Sequence, residues 1–204
     1  RVEARIRSAS GKGLWSAFWM LPSDDRFGGW ASGGEIDIME YVGKNPGEIH
    51  TTLHTPDSFG KSINTRISKI ESIENGFHVY KTKWDANQIQ FYIDDALVYT
   101  FSPEVKNGKT WPFNKPFYLI LNLAIGGSFG GPEVDDSIFP KEFIIDYVKV
   151  YQEVGCNGSS TSWDGSSWSN GIPQSNTLAI IEGPYDTTLG SLDACALQVD
   201  ASLT

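Results

Sequence analysis

The fold class is decided by the stretch Gln88-Ile89-Gln90-Phe91-Tyr92-Ile93-Asp94-Asp95-Ala96-Leu97-Val98-Tyr99. Two runs rich in apolar residues flank a pair of aspartates, which is the pattern of two antiparallel strands joined by a tight turn. Strict alternation of apolar and charged residues in Val2–Arg7 predicts another strand with one buried face. We therefore expect β-structure at both places.

Similar short runs recur along most of the chain and are separated by turn-forming residues. No helical period persists for three turns, so many short strands with short turns predict an all-β sandwich or barrel. The further predicted strands are Gly34–Tyr41, Ile49–His54, Phe77–Trp84, Gln88–Ile93, Ala96–Phe101, Phe117–Ala124 and Phe143–Gln152.

The composition limits the kinds of molecule that the protein can be expected to bind. The 204 residues carry a formal net charge of −9, which repels phosphate backbones, so we expect no nucleic-acid partner. The 7 Trp and 8 Tyr suit either an aromatic β-core or a cleft that covers the apolar faces of sugars. No apolar run reaches the length of a membrane span.

The composition changes near the end of the chain. Residues 155–171 are rich in Ser, Gly, Asn and Trp, and they predict a linker between a domain at 1–154 and a small segment at 172–204. Within that segment, Thr177–Ile181 and Ala194–Val199 are predicted short strands. A piece of this size holds little core of its own.

The chain has two cysteines, Cys156 and Cys195, and both lie in its last quarter. They either form one disulfide, in an oxidising compartment, or remain two free thiols. We expect the bridge.

The stretch that carries chemistry is Gly34-Glu35-Ile36-Asp37-Ile38-Met39-Glu40-Tyr41. On a regular strand Glu35 and Asp37 share a face, whereas Glu40 points to the opposite one. A β-bulge near Ile38-Met39 would bring all three carboxylates together. The alternative is an exposed acidic strand edge without a catalytic role.

Three converging carboxylates suit the cleavage of a glycosidic bond with retention of configuration. One carboxylate serves as the nucleophile and another as the acid/base, with the two groups about 5–5.5 Å apart. A third carboxylate between them can hydrogen-bond the nucleophile and hold the two pKa values apart.

Several segments resemble the laminarinase branch of glycoside hydrolase family sixteen. The resemblance covers about residues 1–152 and implies a concanavalin-like β-jelly-roll sandwich with a concave sugar cleft. It also implies endo-hydrolysis of β-1,3-glucan. The matching segments are Arg1–Ile6, Gly13–Pro22, Gly34–Glu40, Thr52–His54, Asn122–Gly127 and Asp146–Tyr151. Separately, the run Trp163–Gly171 resembles modules near the C-termini of secreted proteins of polysaccharide-degrading bacteria, so we expect a secreted or cell-surface bacterial protein.

Carried over by position, the resemblance makes Glu35 the nucleophile, Asp37 its hydrogen-bonding assistant and Glu40 the general acid/base. Relatives without the extra residue cut mixed-linkage glucan, and the longer spacing also occurs in some agar-type galactanases. The alternatives are therefore hydrolysis of mixed-linkage glucan, agar or porphyran, and a non-catalytic glucan-recognition module. Such modules typically lose a catalytic glutamate, and both are present here, which favours an enzyme.

Candidate substrate contacts lie on both sides of the acidic stretch. Trp15 and Trp19 alternate through a strand-like run, and we expect one to face the cleft and the other the core. Trp30 is expected to stack on a sugar from a loop, His54 to contact or assist the site, and Asn122 to bond sugar hydroxyls.

The resemblance also implies a structural calcium ion at Asp146, with further ligands from sequence ahead of residue 1. No cofactor is expected for catalysis. Strands ahead of Arg1 complete both sheets in the family, so their place falls to sequence outside this chain, to the C-terminal segment or to another chain. We expect the C-terminal segment to pack as a separate small unit, and the protein to be a monomer unless strands are exchanged.

Overall fold

The computed structural model describes residues 1–24, 28–151, 156, 158–185, 188 and 192–199. The chain divides into two compact units, Arg1–Tyr151 and Gln152–Thr204. Within the described residues, no helix has the length and apolar character needed to cross a bilayer.

The first unit is built almost entirely of antiparallel strands. Among its described residues, the helical elements are the short helix α1, Gly127–Gly130, and 3-10 turns at Ile73–Asn75 and Asp136–Ile138. Its strands are β1 Val2–Arg7, β2 Leu14–Pro22, β3 Glu35–Val42, β4 Glu48–His54, β5 Thr65–Lys69, β6 His78–Trp84, β7 Ile89–Ile93, β8 Ala96–Phe101, β9 Phe117–Ile125 and β10 Ile144–Val150.

These strands form two five-stranded sheets, in the orders β10-β1-β6-β7-β8 and β5-β4-β3-β2-β9. The apolar faces of both sheets contribute to one core, to which Ile6 and Tyr80 come from the first sheet and Phe18 and Ile36 from the second. Alternation places every second side chain in this core and leaves the others on an outer face. The predicted all-β sandwich of the jelly-roll type is confirmed.

The hairpin predicted around Asp94-Asp95 is present between β7 and β8. Both aspartates have left-handed backbone angles, with φ of 49° and 68°, as a tight hairpin turn requires. Asp94 also accepts a hydrogen bond from the Val79 backbone N–H, which fastens the turn to β6.

Strand β5 was not predicted. It pairs with β4 at the edge of its sheet, and only Ser68 among its five residues is even partly buried. Because neither face of this strand is covered, its sequence shows no alternation between apolar and polar residues.

The second unit contains a parallel three-stranded sheet of its own. The strands are β11 Ser160–Trp163, β12 Leu178–Ile181 and β13 Ala196–Val199. They pair in register, and Thr161, Trp163, Ala179 and Ile181 are buried on one side.

Strand β11 lies inside the segment predicted as a linker, 155–171, although residues 152–155 and 157 lie outside the described part of the chain. The Ser- and Gly-rich composition concealed a four-residue strand whose second and fourth side chains are buried. The predicted disulfide joins Cys156 to Cys195, with Cα atoms 5.4 Å apart. This bridge closes a loop that contains β11 and β12.

Candidate active site

The predicted bulge lies in β3, between the acidic residues. On the β2 side, Phe18 pairs with Met39 and Trp19 pairs with Asp37, so Ile38 has no partner of its own. The register of β3 with β4 shifts in the same interval. Two successive residues, Ile38 and Met39, therefore stand opposite one, and both side chains are buried in the core.

The bulge brings the three acidic side chains to one face of the sheet. Glu35, Asp37 and Glu40 all line a single cavity of about 200 Å³. Ile36 and Ile38 lie on the other side of the strand, in the core. The remaining lining residues are Trp15, Ala17, Trp19, Trp30 and Asn122.

Trp15 and Trp19 both line this cavity, so the expectation that one of them would face the core was wrong. The two positions differ by four residues, and a strand with a side-chain period of two places them on the same face. The alternate positions Ser16, Phe18 and Met20 supply the buried face instead.

Glu35 is contacted by a loop tryptophan and by a histidine from the neighbouring strand. Trp30 Nε1 donates to Glu35 Oε2 at 2.7 Å. His54 Nε2 lies 3.5 Å from Glu35 Oε1 and 3.3 Å from Asp37 Oδ2. Trp30 is 59% exposed, so its ring is accessible to a ligand. Three sequence-predicted residues thus meet at one carboxylate.

Glu35 and Asp37 lie side by side, and each shifts the pKa of the other. Burial raises the pKa of both carboxyl groups, and the raise is larger for the fully enclosed Asp37. His54, the Trp30 N–H and the neighbouring Asp37 carboxyl lower the pKa of Glu35, whereas Glu35 raises that of Asp37. Within the pair, therefore, the proton belongs on Asp37 and the negative charge on Glu35.

Glu40 lies in a different electrostatic environment. Burial raises its pKa to about 8, and the negative charge that Asp37 and Glu35 carry between them acts in the same direction. The His54 imidazole and the Trp15 indole, whose Nε1 donates to Glu40 Oε1 at 3.1 Å, only partly oppose this rise. At neutral pH, Glu40 is mostly protonated and can act as an acid.

Asn122 lies on β9, at the far side of the cavity from β4. Its Oδ1 accepts a hydrogen bond of 2.8 Å from Trp19 Nε1. With the oxygen engaged, the amide NH₂ group is left to donate to a sugar hydroxyl. The contact also fixes the plane of the Trp19 ring.

Asp146, the predicted calcium ligand, accepts a hydrogen bond of 2.6 Å from Arg5 Nη1. Among the described residues, three side chains able to ligate a metal converge only at Glu35, Asp37 and His54. Calcium takes six to eight oxygen ligands. The surroundings of Asp146 do not by themselves fit calcium, and the calcium site stays a prediction.

Sequence reasoning missed Phe129, which the structure places edge-on against Trp15. The ring centroids are 5.3 Å apart and the planes meet at 85°. Only the glycines around it, Gly126–Gly127 and Gly130–Gly131, marked this segment in the sequence. They indicated an unusual backbone but not which ring would meet the site.

Comparison with known proteins identifies relatives of the first unit. The family model described as Glycosyl hydrolases family 16 matches residues 1–149. The beta-glucanase of Rhodothermus marinus is 40% identical over 166 residues, which cover 76% of this chain and 57% of that protein. The glucan endo-1,3-beta-glucosidase A1 of Niallia circulans is 37% identical over 164 residues, covering 75% and 24%.

Among solved structures, a laminarinase from Flavobacterium sp. UMI-01 superposes with a TM-score of 0.73 at 54% sequence identity. The match covers 74% of this chain and 66% of that one. The chain thus spans between about a quarter and two thirds of the length of these relatives.

Proposed function

The chain belongs to glycosyl hydrolase family 16, and on that premise we propose that it hydrolyses internal β-1,3-glucosidic bonds of laminarin-type glucans with retention of anomeric configuration. The observation that carries the proposal is the bulge at Ile38, which brings Glu35, Asp37 and Glu40 to one cavity. The names of the three relatives, a beta-glucanase, a glucan endo-1,3-beta-glucosidase and a laminarinase, support a glucan substrate.

In the first step, a Glu35 carboxylate oxygen attacks the anomeric carbon of the bound sugar. The bond from that carbon to the bridging oxygen breaks, and the carboxyl proton of Glu40 passes to the leaving oxygen. The raised pKa of Glu40, about 8, keeps this proton available at neutral pH. The products of the step are a glycosyl ester of Glu35 and the released reducing-end fragment.

In the second step, the now ionised Glu40 removes a proton from water as the water oxygen attacks the same carbon. The ester bond to Glu35 breaks and the carboxylate is restored. Two inversions give net retention. Glu40 ends the cycle protonated, so no external acid or base is required.

Asp37 acts through Glu35. Its proton, shared in the hydrogen bond between the two carboxyls, stabilises the Glu35 carboxylate before attack and after release. Trp30 Nε1 and His54 stabilise the same charge. These contacts favour the ionised form of Glu35 against the effect of burial, which raises its pKa.

The cavity walls supply surfaces for the sugar rings. Trp15, Trp19 and Trp30 present indoles to the cavity, and such rings cover the apolar faces of pyranoses. Asn122 offers an amide donor beside them. We further propose a secreted protein, because the Cys156–Cys195 bridge persists in oxidising compartments.

The test is reducing-sugar release from laminarin, lichenan and agarose by the intact protein, with the anomer of the first product followed by proton NMR. We expect release to be fastest from laminarin and the β-anomer to appear first. Faster release from agarose would assign another substrate, and an initial α-anomer would contradict retention. Laminarin binding without release from any polymer would favour a glucan-recognition module.

A further inference from the structure

Phe129 contacts the same Trp15 ring that donates a hydrogen bond to Glu40. Trp15 donates from Nε1 to Glu40 Oε1, and the rest of its ring meets the edge of Phe129 at 5.3 Å. In the described part of the chain, Phe129 is the one aromatic ring that packs against Trp15. The orientation of the donor thus depends on this neighbour.

Phe129 also contacts the strand on the other side of β3. Its ring lies 5.0 Å from the His50 ring, at 87°. His50 is the residue of β4 that pairs with Glu40, and on β2 the partner of Glu40 is Ala17, two residues from Trp15. Phe129 therefore lies between side chains of the two strands that flank β3, at the level of Glu40.

The backbone that carries Phe129 is held against β2 by its glycines. Gly126 N–H donates to Gly13 O at 2.6 Å, and Gly131 N–H donates to Gly127 O. Gly130 is buried, and a Cβ atom there would lie 3.5 Å from Trp15 Cβ. Left-handed φ angles at Gly126, Gly127 and Gly131 let the segment turn this closely. The segment presents a single ring from a fixed backbone.

We propose that Phe129 is a positioning residue for Glu40, acting by holding the Trp15 indole in the orientation that donates to that carboxyl. The inference rests on the proposed function, in which Glu40 is the acid/base. Packing that locks a donor in one rotamer keeps the reacting carboxyl in place, and small displacements of a catalytic group are costly in rate.

The proposal has a signature in proton affinity. The titratable groups that face Glu40 are Asp37 and Glu35 on its own strand and His54 on β4, with the His50 ring beside them. The Trp15 N–H stabilises the ionised form of Glu40 and so lowers its pKa. Loss of the donor moves that pKa upward, and the alkaline limb of kcat/KM follows it to higher pH.

The experiment compares wild type with Phe129→Ala, Phe129→Tyr and Ser128→Ala. Ser128 is the exposed neighbour in the same segment and serves as the matched control. The pKa of Glu40 is read by NMR titration of ¹³C-labelled glutamate carboxyls, with the Glu40 signal identified by its absence in Glu40→Gln. The pH dependence of kcat and KM on laminarin is measured in parallel.

We expect Phe129→Ala to lower kcat about tenfold with KM within about twofold, and to raise the pKa of Glu40. Phe129→Tyr, which keeps the ring, restores both values, and Ser128→Ala changes neither. If Phe129→Ala does not fold, Phe129→Leu takes its place in the same comparison.

An unchanged pKa of Glu40 in a folded Phe129→Ala protein overturns the proposal. A rise in KM alone also overturns it, since Phe129 would then be a substrate contact. The carboxyl titration needs no turnover, so it decides the positioning role even for a wild type that cleaves no glucan, a result that would instead remove the proposed function.

Discussion

Glu35 and Glu40 lie on one strand and each accepts a hydrogen bond from an indole, yet the two ends of this motif differ. At the Glu35 end the donor is Trp30, which is exposed, and the His54 imidazole lies beside the carboxylate. At the Glu40 end the donor is Trp15, which is packed by Phe129, and the carboxyl itself is buried.

The difference shows that an indole donor does not by itself decide what a carboxyl does. Asp37, between the two glutamates, lowers the pKa of Glu35, whereas the negative charge that Glu35 and Asp37 carry between them raises the pKa of Glu40. Burial raises the pKa of both glutamates, and at Glu35 it is opposed by His54, Trp30 and Asp37. Two identical side chains are thus separated into a base-like and an acid-like group by their surroundings.

The largest effect is expected from a substitution of Glu35. Glu35→Gln removes the nucleophile while keeping the shape, so kcat on laminarin should fall by at least about 10⁴-fold. Laminarin binding, measured by calorimetry, should stay within severalfold of wild type. Glu142→Gln, which changes an exposed carboxylate, is the control and should leave turnover intact. Substantial turnover by Glu35→Gln would contradict the assignment.

A substitution of Glu40 should lower kcat by a factor that depends on the substrate. Glu40→Gln should lower kcat on laminarin by roughly 10³-fold, because the leaving oxygen needs a proton. On an aryl β-glucoside whose leaving group departs unaided, release of the aryl group should persist in a burst assay. Equal losses on the two substrates would mean that Glu40 is not the acid.

The same substitution should stabilise the protein in alkaline solution. The pKa of Glu40 rises from 4.5 to about 8 on folding, so the native state binds the extra proton and loses stability as pH rises between these values. The free energy of unfolding of Glu40→Gln should therefore exceed that of wild type by about 4–5 kcal/mol at pH 8.5 and match it to within about 0.5 kcal/mol near pH 4.5. Urea unfolding at the two pH values measures this, and a constant difference would argue against a buried, protonated Glu40.

The smallest effects are expected when each indole N–H is removed in turn, which tests whether Glu35 and Glu40 are tuned separately. Trp30→Phe should raise the pKa of Glu35 and move the acidic limb of kcat/KM upward in pH. Trp15→Phe should raise the pKa of Glu40 and move the alkaline limb upward instead. Each change should cost about tenfold in kcat/KM. Movement of the same limb in both variants would show that the two ends are not separate.

Much of the fold could be predicted because buried faces leave a period of two in the sequence. Strands such as Val2–Arg7 and the hairpin at Asp94-Asp95 carry this signal. The bulge was also predictable, since three acids at these spacings converge in no regular strand. β5 left no such trace because it is exposed on both faces, and β11 was concealed by the serines around it.

The site was predictable along the strand and less so across it. Glu35, Asp37, Glu40 and His54 meet as expected, since β3 and β4 are neighbours in the sheet. Phe129 reaches Trp15 from the segment after β9, and no local pattern encodes a contact between residues so far apart. Such contacts depend on how the strands are ordered in the sheet.

The bulge also determines how this strand can change length over evolutionary time. Because Ile38 and Met39 both stand opposite Phe18, deleting one of them restores ordinary alternation and keeps Glu35, Asp37 and Glu40 on one face. The deletion would affect the core side of the sheet, because removing a buried side chain leaves a void there. An insertion or deletion at this point is thus inherited as a difference in core packing, while the order of acids in the cleft is preserved.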